Sequence, residues 1–171
     1  MRIPRPRLED LPASTHGYVQ KVVGDDALHA LTSQRQSTAR FLTTVPESRA
    51  SFRYAEGKWS LREVVGHVSD SERVFAYRLL RFARHDATPL SGFDENQWMP
   101  HARFEKRSLE DVVAELMTVR AATLVLISSL DEEALACRGV ANGNSFTVAG
   151  LAWIIAGHEA HHMGVLHERY L

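Results

Sequence analysis

The chain has 171 residues, 44% of them hydrophobic and 24% charged, enough for one globular core and ordinary for a folded protein. Lys and Arg number 20 against 21 Asp and Glu, a net charge of −1. That balance argues against electrostatic binding of nucleic acid and against a polybasic membrane surface binder. No run approaches the roughly 18 apolar residues of a membrane span, and the start, MRIPRPRLEDLP, lacks the apolar segment of a signal peptide. With Cys137 as the single cysteine, no internal disulfide is available. Together these point to a cytoplasmic protein.

Residues 1–24 carry Pro4, Pro6, Pro12, Gly17 and Gly24 without a sustained period, which predicts an extended arm. From residue 25 the pattern is helical. Asp25 or Asp26 caps a first helix running to about Thr44, ended by Pro46. Ser60 and Glu63 form a capping-box pattern that opens a second helix to about Arg84, with an apolar arc of Leu61, Val64, Val65, Val68, Phe75, Leu79 and Phe82. Residues 86–107 are a long connection. Ser108 then opens a third helix to about Leu130, and a polar, turn-rich stretch with Asn142-Gly143-Asn144 leads to a fourth helix from near Thr147. No strand-like alternation persists. The expected fold is all-α, a four-helix bundle over residues 25–171. The connection between the second and third helices is far longer than antiparallel neighbours need, and long enough to run back along a helix of about 30 Å. This predicts a crossover and an up-down-down-up order.

Four of the nine histidines fall in the last fourteen residues. The inward seam of the fourth helix is Val148, Leu151, Ile155, His158, His162 and Val165, spaced as a bundle core requires. His158 and His162 are one turn apart, so both imidazoles project the same way and can share one ion. Buried without partners they would be unfavourable. The pair also spells H-E-x-x-H with Glu159, the zinc-protease signature. The extension of that signature would need Gly at 165 and His at 168, where the sequence has Val165 and Glu168, and no bordering strand is in sight. A third ligand must come from another helix. His67, two turns into the second helix on the flank of its apolar arc, is the candidate, whereas His16, His29, His85 and His101 lie in arm, polar-face or loop contexts.

WSLREVVGHVSDSE with His67, FDENQW with Asp94, Glu95 and Trp98, and GHEAHHMGVL some ninety residues beyond His67 resemble the DinB/YfiT-like family of metal-binding four-helix bundles. The likeness covers roughly residues 26–171. It implies a metal triad of His67, His158 and His162. It also implies one divalent ion, Zn²⁺ first with Ni²⁺, Fe²⁺ or Mn²⁺ as alternatives, and activity as a thiol-dependent S-transferase or a metal-dependent hydrolase on a small molecule, with a low-molecular-weight thiol as co-substrate in the first case.

Among supporting residues, Glu159 is the candidate catalytic group, on the flank of the seam. Glu72, unusual within an apolar arc, either hydrogen-bonds a ligand histidine or pairs with an arginine of a neighbouring helix. Asp70, one turn after His67, could orient that imidazole. Asp94, Glu95 and Trp98 would wall the site, or Trp98 would merely pack the crossover onto the bundle. Trp59 and Trp153 read as core, His161 and His167 as outside the ligand set, and Cys137 has no role. Leu124, Val125 and Ile127 lie beyond the main seam of the third helix, surplus apolar surface that predicts a homodimer. The competing class is a non-catalytic, stress-related protein with a structural or regulatory metal.

Overall fold

The computed structural model describes residues 2–171. In chain order the elements are α1 (His16–Lys21), α2 (Ala27–Thr43), α3 (Leu61–Ala83), α4 (Glu95–Ala102), α5 (Leu109–Ser128), α6 (Glu132–Ala136), β1 (Arg138–Ala141), β2 (Asn144–Thr147) and α7 (Val148–Arg169). The four long helices α2, α3, α5 and α7 start where polar side chains satisfy free backbone N–H groups. Asp26 accepts from Leu28 N at 3.0 Å, Ser108 from Asp111 N at 3.1 Å and Thr147 from Gly150 N at 2.9 Å. Ser60 and Glu63 close a reciprocal capping box at 3.3 and 2.6 Å. No helix among the described residues is long and apolar enough to cross a membrane.

Both α2 and α3 pack against α5 and α7. The end of α7 meets the start of α3, where the Tyr170 hydroxyl donates to the Trp59 carbonyl at 2.7 Å. The start of α5 meets the turn after α2, where Leu109 N donates to Glu47 at 2.7 Å. The apolar core falls into two clusters. One gathers Leu31, Leu79, Phe82, Ile127, Leu151 and Trp153, and the other Leu42, Leu61, Val65, Leu116, Leu166 and Tyr170. On every long helix the residues between these sets are polar: Thr38 on α2, Glu72 on α3, Arg120 on α5, His158 and Glu159 on α7, all buried. A polar layer therefore crosses the whole bundle.

The structure departs from the sequence reading in three places. Residues 2–24 are not simply extended, since they contain two 3-10 turns and α1; Met1, the first residue of the expected arm, lies outside the described residues. Here tertiary burial overrides the missing period: Ile3, Leu11, Val19 and Val22 are buried, and the Trp153 indole N–H donates to the Pro4 carbonyl at 2.9 Å. The long connection holds α4, capped by Asp94 and containing Pro100 near its end. The stretch before α7 holds α6 and an antiparallel hairpin of β1 and β2. Asn142 and Gly143, at φ +49° and +72°, supply the two left-handed residues its tight turn needs. Asn-Gly was the hairpin signal, and the strands are too short for alternation to show.

Gly157 is what lets α1 lie on α7. A Cβ there would stand 2.3 Å from the Tyr18 carbonyl oxygen, a backbone atom that cannot swing away. Gly157→Ala should therefore destabilise the protein by about 1–3 kcal/mol, read as a lower urea midpoint. Gly164→Ala, with open space around it, should be neutral or stabilising by up to about 1 kcal/mol.

Candidate metal centre

The polar layer turns into a site on the face between α3 and α7. His67 sits two turns beyond the Ser60 cap, held inward by the same helical face that buries Val64 and Val68. His158 and His162, one turn apart on α7, meet it. One nitrogen from each of the three histidines lies within 4.8 Å of the others, and among the described residues no fourth His, Cys, Asp or Glu joins this group. His67 Nε2 is 3.1 Å from His158 Nε2, and the ring centroids of His158 and His162 are 4.5 Å apart. Aromatic edges close around them. Tyr18 from α1 is 5.3 Å and Phe75 5.7 Å from the His158 ring, and Trp59 is 4.7 Å from His67.

Burial is the main force on these imidazoles, since it penalises the charged form. It holds the pKa of His67 down at about 4 and that of His162 at about 3, and it pushes His158 well below the ordinary range; neighbouring histidine charges add to each shift. At neutral pH the three rings are uncharged, each with a lone pair to give. Tetrahedral Zn–N bonds of about 2.0–2.1 Å place ligand nitrogens about 3.3 Å apart, close to the 3.1 Å between His67 and His158. Donor type, charge state and the His67–His158 separation fit a divalent ion.

The lowered values fix a pH dependence for protein stripped of metal. The unfolded chain takes up protons near pH 6.5, whereas the folded histidines wait until about pH 4 and 3. Between those limits the unfolded state binds more protons, so stability falls as the pH falls, by up to about 1.4 kcal/mol per pH unit for each histidine. Urea midpoints of the stripped protein should drop steadily from pH 6.5 to 4. A flat profile would contradict the burial of these rings.

The carboxylates are arranged differently from the expectation. Glu159 does not face the histidines. Its carboxylate pairs with Arg120 of α5 and accepts from the Thr38 hydroxyl of α2. Burial raises its pKa, against the pull of Arg120 and Thr38. Its place in H-E-x-x-H thus carries no catalytic geometry. Glu72 takes the arginine alternative: Arg120 Nε and a terminal nitrogen donate to its two oxygens at 2.8 and 2.7 Å. Asp70 engages Arg73 at 3.4 Å rather than His67. The group beside His67 is Ser71, whose Oγ lies 3.4 Å from Nδ1. Ser71 is one turn after His67, a spacing visible in the sequence; Tyr18, from a segment without pattern, gave no such signal.

Asp94 serves as the N-cap of α4, while Glu95 and Trp98 line a crevice of about 10 Å³ beside His67. Arg78 lies away from the histidines and holds the long connection through the Ser91 carbonyl at 3.0 Å. Trp153 is core as expected, whereas Trp59 is only partly buried. It helps line a cleft of about 300 Å³ that reaches His161 and His162. His167, off the seam, stacks on Phe41 at 4.1 Å.

Four long helices with three neutral histidines gathered at one level define a helical bundle with a candidate metal centre. The sequence profile of the DinB superfamily matches residues 30–166, and the chain belongs to that family. Solved structures agree in fold. YfiT from Bacillus subtilis, described as a probable metal-dependent hydrolase with an unusual four-helix bundle topology, aligns with TM-score 0.70 at 18% identity, over 95% of this chain and 89% of its own. A mycothiol-dependent maleylpyruvate isomerase aligns with TM-score 0.68 at 14% identity, over 92% of this chain and 62% of its own. The DinB-like protein YjoA of Bacillus subtilis aligns with TM-score 0.60 at 22% identity, over 82% and 86%. No curated protein sequence matches the chain.

Proposed function

We propose that this protein is a metal-dependent enzyme acting on a small molecule, as a thiol-dependent S-transferase or a hydrolase, through a divalent ion held by His67, His158 and His162. Zn²⁺ is the first choice, since it suits three imidazoles, with Ni²⁺, Fe²⁺ and Mn²⁺ as alternatives. The observation that carries the reading is the convergence of three neutral histidine nitrogens, two of them on buried rings and the third on half-buried His162, within 4.8 Å beside an open cleft. A divalent ion there would supply a lowered pKa for a bound water or thiol. The chain's own residues do the rest. Ser71 and the packing of Trp59 orient His67, Tyr18 and Phe75 keep water from the back of His158, and the cleft admits substrate at His162. The likeness in fold to a probable metal-dependent hydrolase and a mycothiol-dependent isomerase supports both chemistries.

That no fourth ligand joins the three histidines among the described residues favours an enzyme over a structural metal. The bundle reads as up-down-down-up. In support, α2 runs beside α7 with Gln34 and Thr38 meeting Ala156 and Glu159, and the ends of α7 and α3 meet at Tyr170 and Trp59. The reading takes residues 1–171 as one DinB-like unit in the cytoplasm. It is a homodimer through the apolar α2–α5 face, where Val125 is 72% exposed beside Leu28 and Leu124; Ile127, expected on that surface, is instead fully buried in the core.

The test is metal analysis of untagged protein, then Co²⁺ substitution and titration with small thiols. A sulfur-to-cobalt charge-transfer band that His67→Ala abolishes is the expected result. A spectrum that no thiol or other small anion perturbs would replace the enzyme reading with a structural metal.

A further inference from the structure

We infer that the site takes a small aromatic carboxylate, with its ring in the cleft between Trp59 and the tyrosines and its anionic group toward Lys58 and the histidines. The inference rests on the metal-dependent reading above and narrows it. Space sets the route. On the α4 side of His67 the crevice holds about 10 Å³, roughly one water molecule. On the His162 side the cleft holds about 300 Å³, the lower end of the range for small-molecule sites.

The walls of that cleft are flat, apolar and fixed. The Tyr170 hydroxyl donates to the Trp59 carbonyl at 2.7 Å, the Tyr54 ring stands edge-on to Tyr170 at 5.2 Å, and Trp59 leads directly to His67 at 4.7 Å. Aromatic walls set before binding favour a planar ring over a flexible chain, since little ordering remains to be done.

Charge sets the polar end. Among the Lys, Arg, Asp and Glu side chains of the described residues, Lys58 is the one in the cleft's lining, and its formal charge is positive. Glu63, close by at the start of α3, is already held by Arg53 at 2.7 Å and by the Ser60 N–H at 2.6 Å. The lining thus offers an entering anion one lysine and no carboxylate. The three imidazoles contribute no negative charge, so a bound divalent ion would leave its positive charge uncompensated toward the same space.

The experiment uses benzoate and benzyl alcohol, which share a ring and differ in charge. Each is titrated into the untagged, metal-loaded protein and read by tryptophan fluorescence, with Trp59→Phe identifying the Trp59 signal. Benzoate should bind at least about tenfold more tightly than benzyl alcohol. Lys58→Met should cut that preference by about two- to fivefold, the size expected of a partly exposed charge pair, with metal content unchanged. Equal binding of the two probes, or a preference that Lys58→Met leaves intact, overturns the inference while the metal reading stands. A protein that holds no metal yet keeps the Lys58-dependent preference overturns the metal reading and leaves the carboxylate inference in place.

Discussion

Replacing Arg120 by Met should destabilise the protein by about 3–5 kcal/mol, a large share of the roughly 5–15 kcal/mol that holds a typical domain together. Arg120 is 1% exposed and the carboxylates it bridges, Glu72 and Glu159, are 2% exposed. Removing the guanidinium leaves two carboxylates facing each other without water, and the cost lies in that uncompensated charge rather than in the lost attraction. The urea midpoint should fall sharply, and much of the protein should accumulate insoluble. The triple replacement Glu72→Leu, Arg120→Met, Glu159→Leu should recover a good part of the loss, because it removes the charges together with their partner. An Arg120→Met midpoint equal to that of the parent would refute the pairing.

The second large effect is on metal. His67→Ala, His158→Ala and His162→Ala should each weaken metal binding by about a hundredfold or more, beyond the 10–100-fold typical of losing a residue that only supports a ligand. Ser71→Ala falls in that lesser range, since its hydroxyl touches Nδ1 of His67 and not the shared space. His161→Ala should leave metal content unchanged, as its ring lies beside His162 but outside the converging group. Competitive chelator titration of each purified variant gives the constants. Equal loss from His161→Ala would mean that the ligand pair on α7 is a different one.

Much of the frame and of the histidine cluster was legible because it is written in local chemistry. Caps are short-range, so Ser60, Ser108 and Thr147 mark their helices in the sequence and in the fold alike. His158 and His162 declare themselves by falling on an otherwise apolar seam. The partners of the carboxylates were not legible, because they depend on which helices meet at which level. Glu159 lies on the flank of the seam in sequence terms, yet the neighbour on that flank is Arg120, 39 residues away along the chain. The hydrophobic arc of α3 could not tell whether Glu72 leans toward His67 or α5; only the assembled bundle does. The same holds for the N-terminal segment: α1 lies where Gly157 of α7 leaves room for Tyr18, and the stretch before it is held by Trp153 one turn earlier, neither of which its own pattern announces.

The polar layer between the two apolar clusters also settles how far each helix is slid along its neighbours. Interlocking aliphatic side chains would tolerate a slip of one helical turn, about 5.4 Å, with modest repacking. Slipping α7 by a turn would set Ile155 or Met163 opposite Arg120 and carry the Glu159 carboxylate into hydrocarbon. The same shift would part His158 and His162 from His67. Thr38, Glu72, Arg120 and Glu159, one from each long helix, act like the wards of a lock, admitting a single alignment. In that alignment the three imidazoles come level.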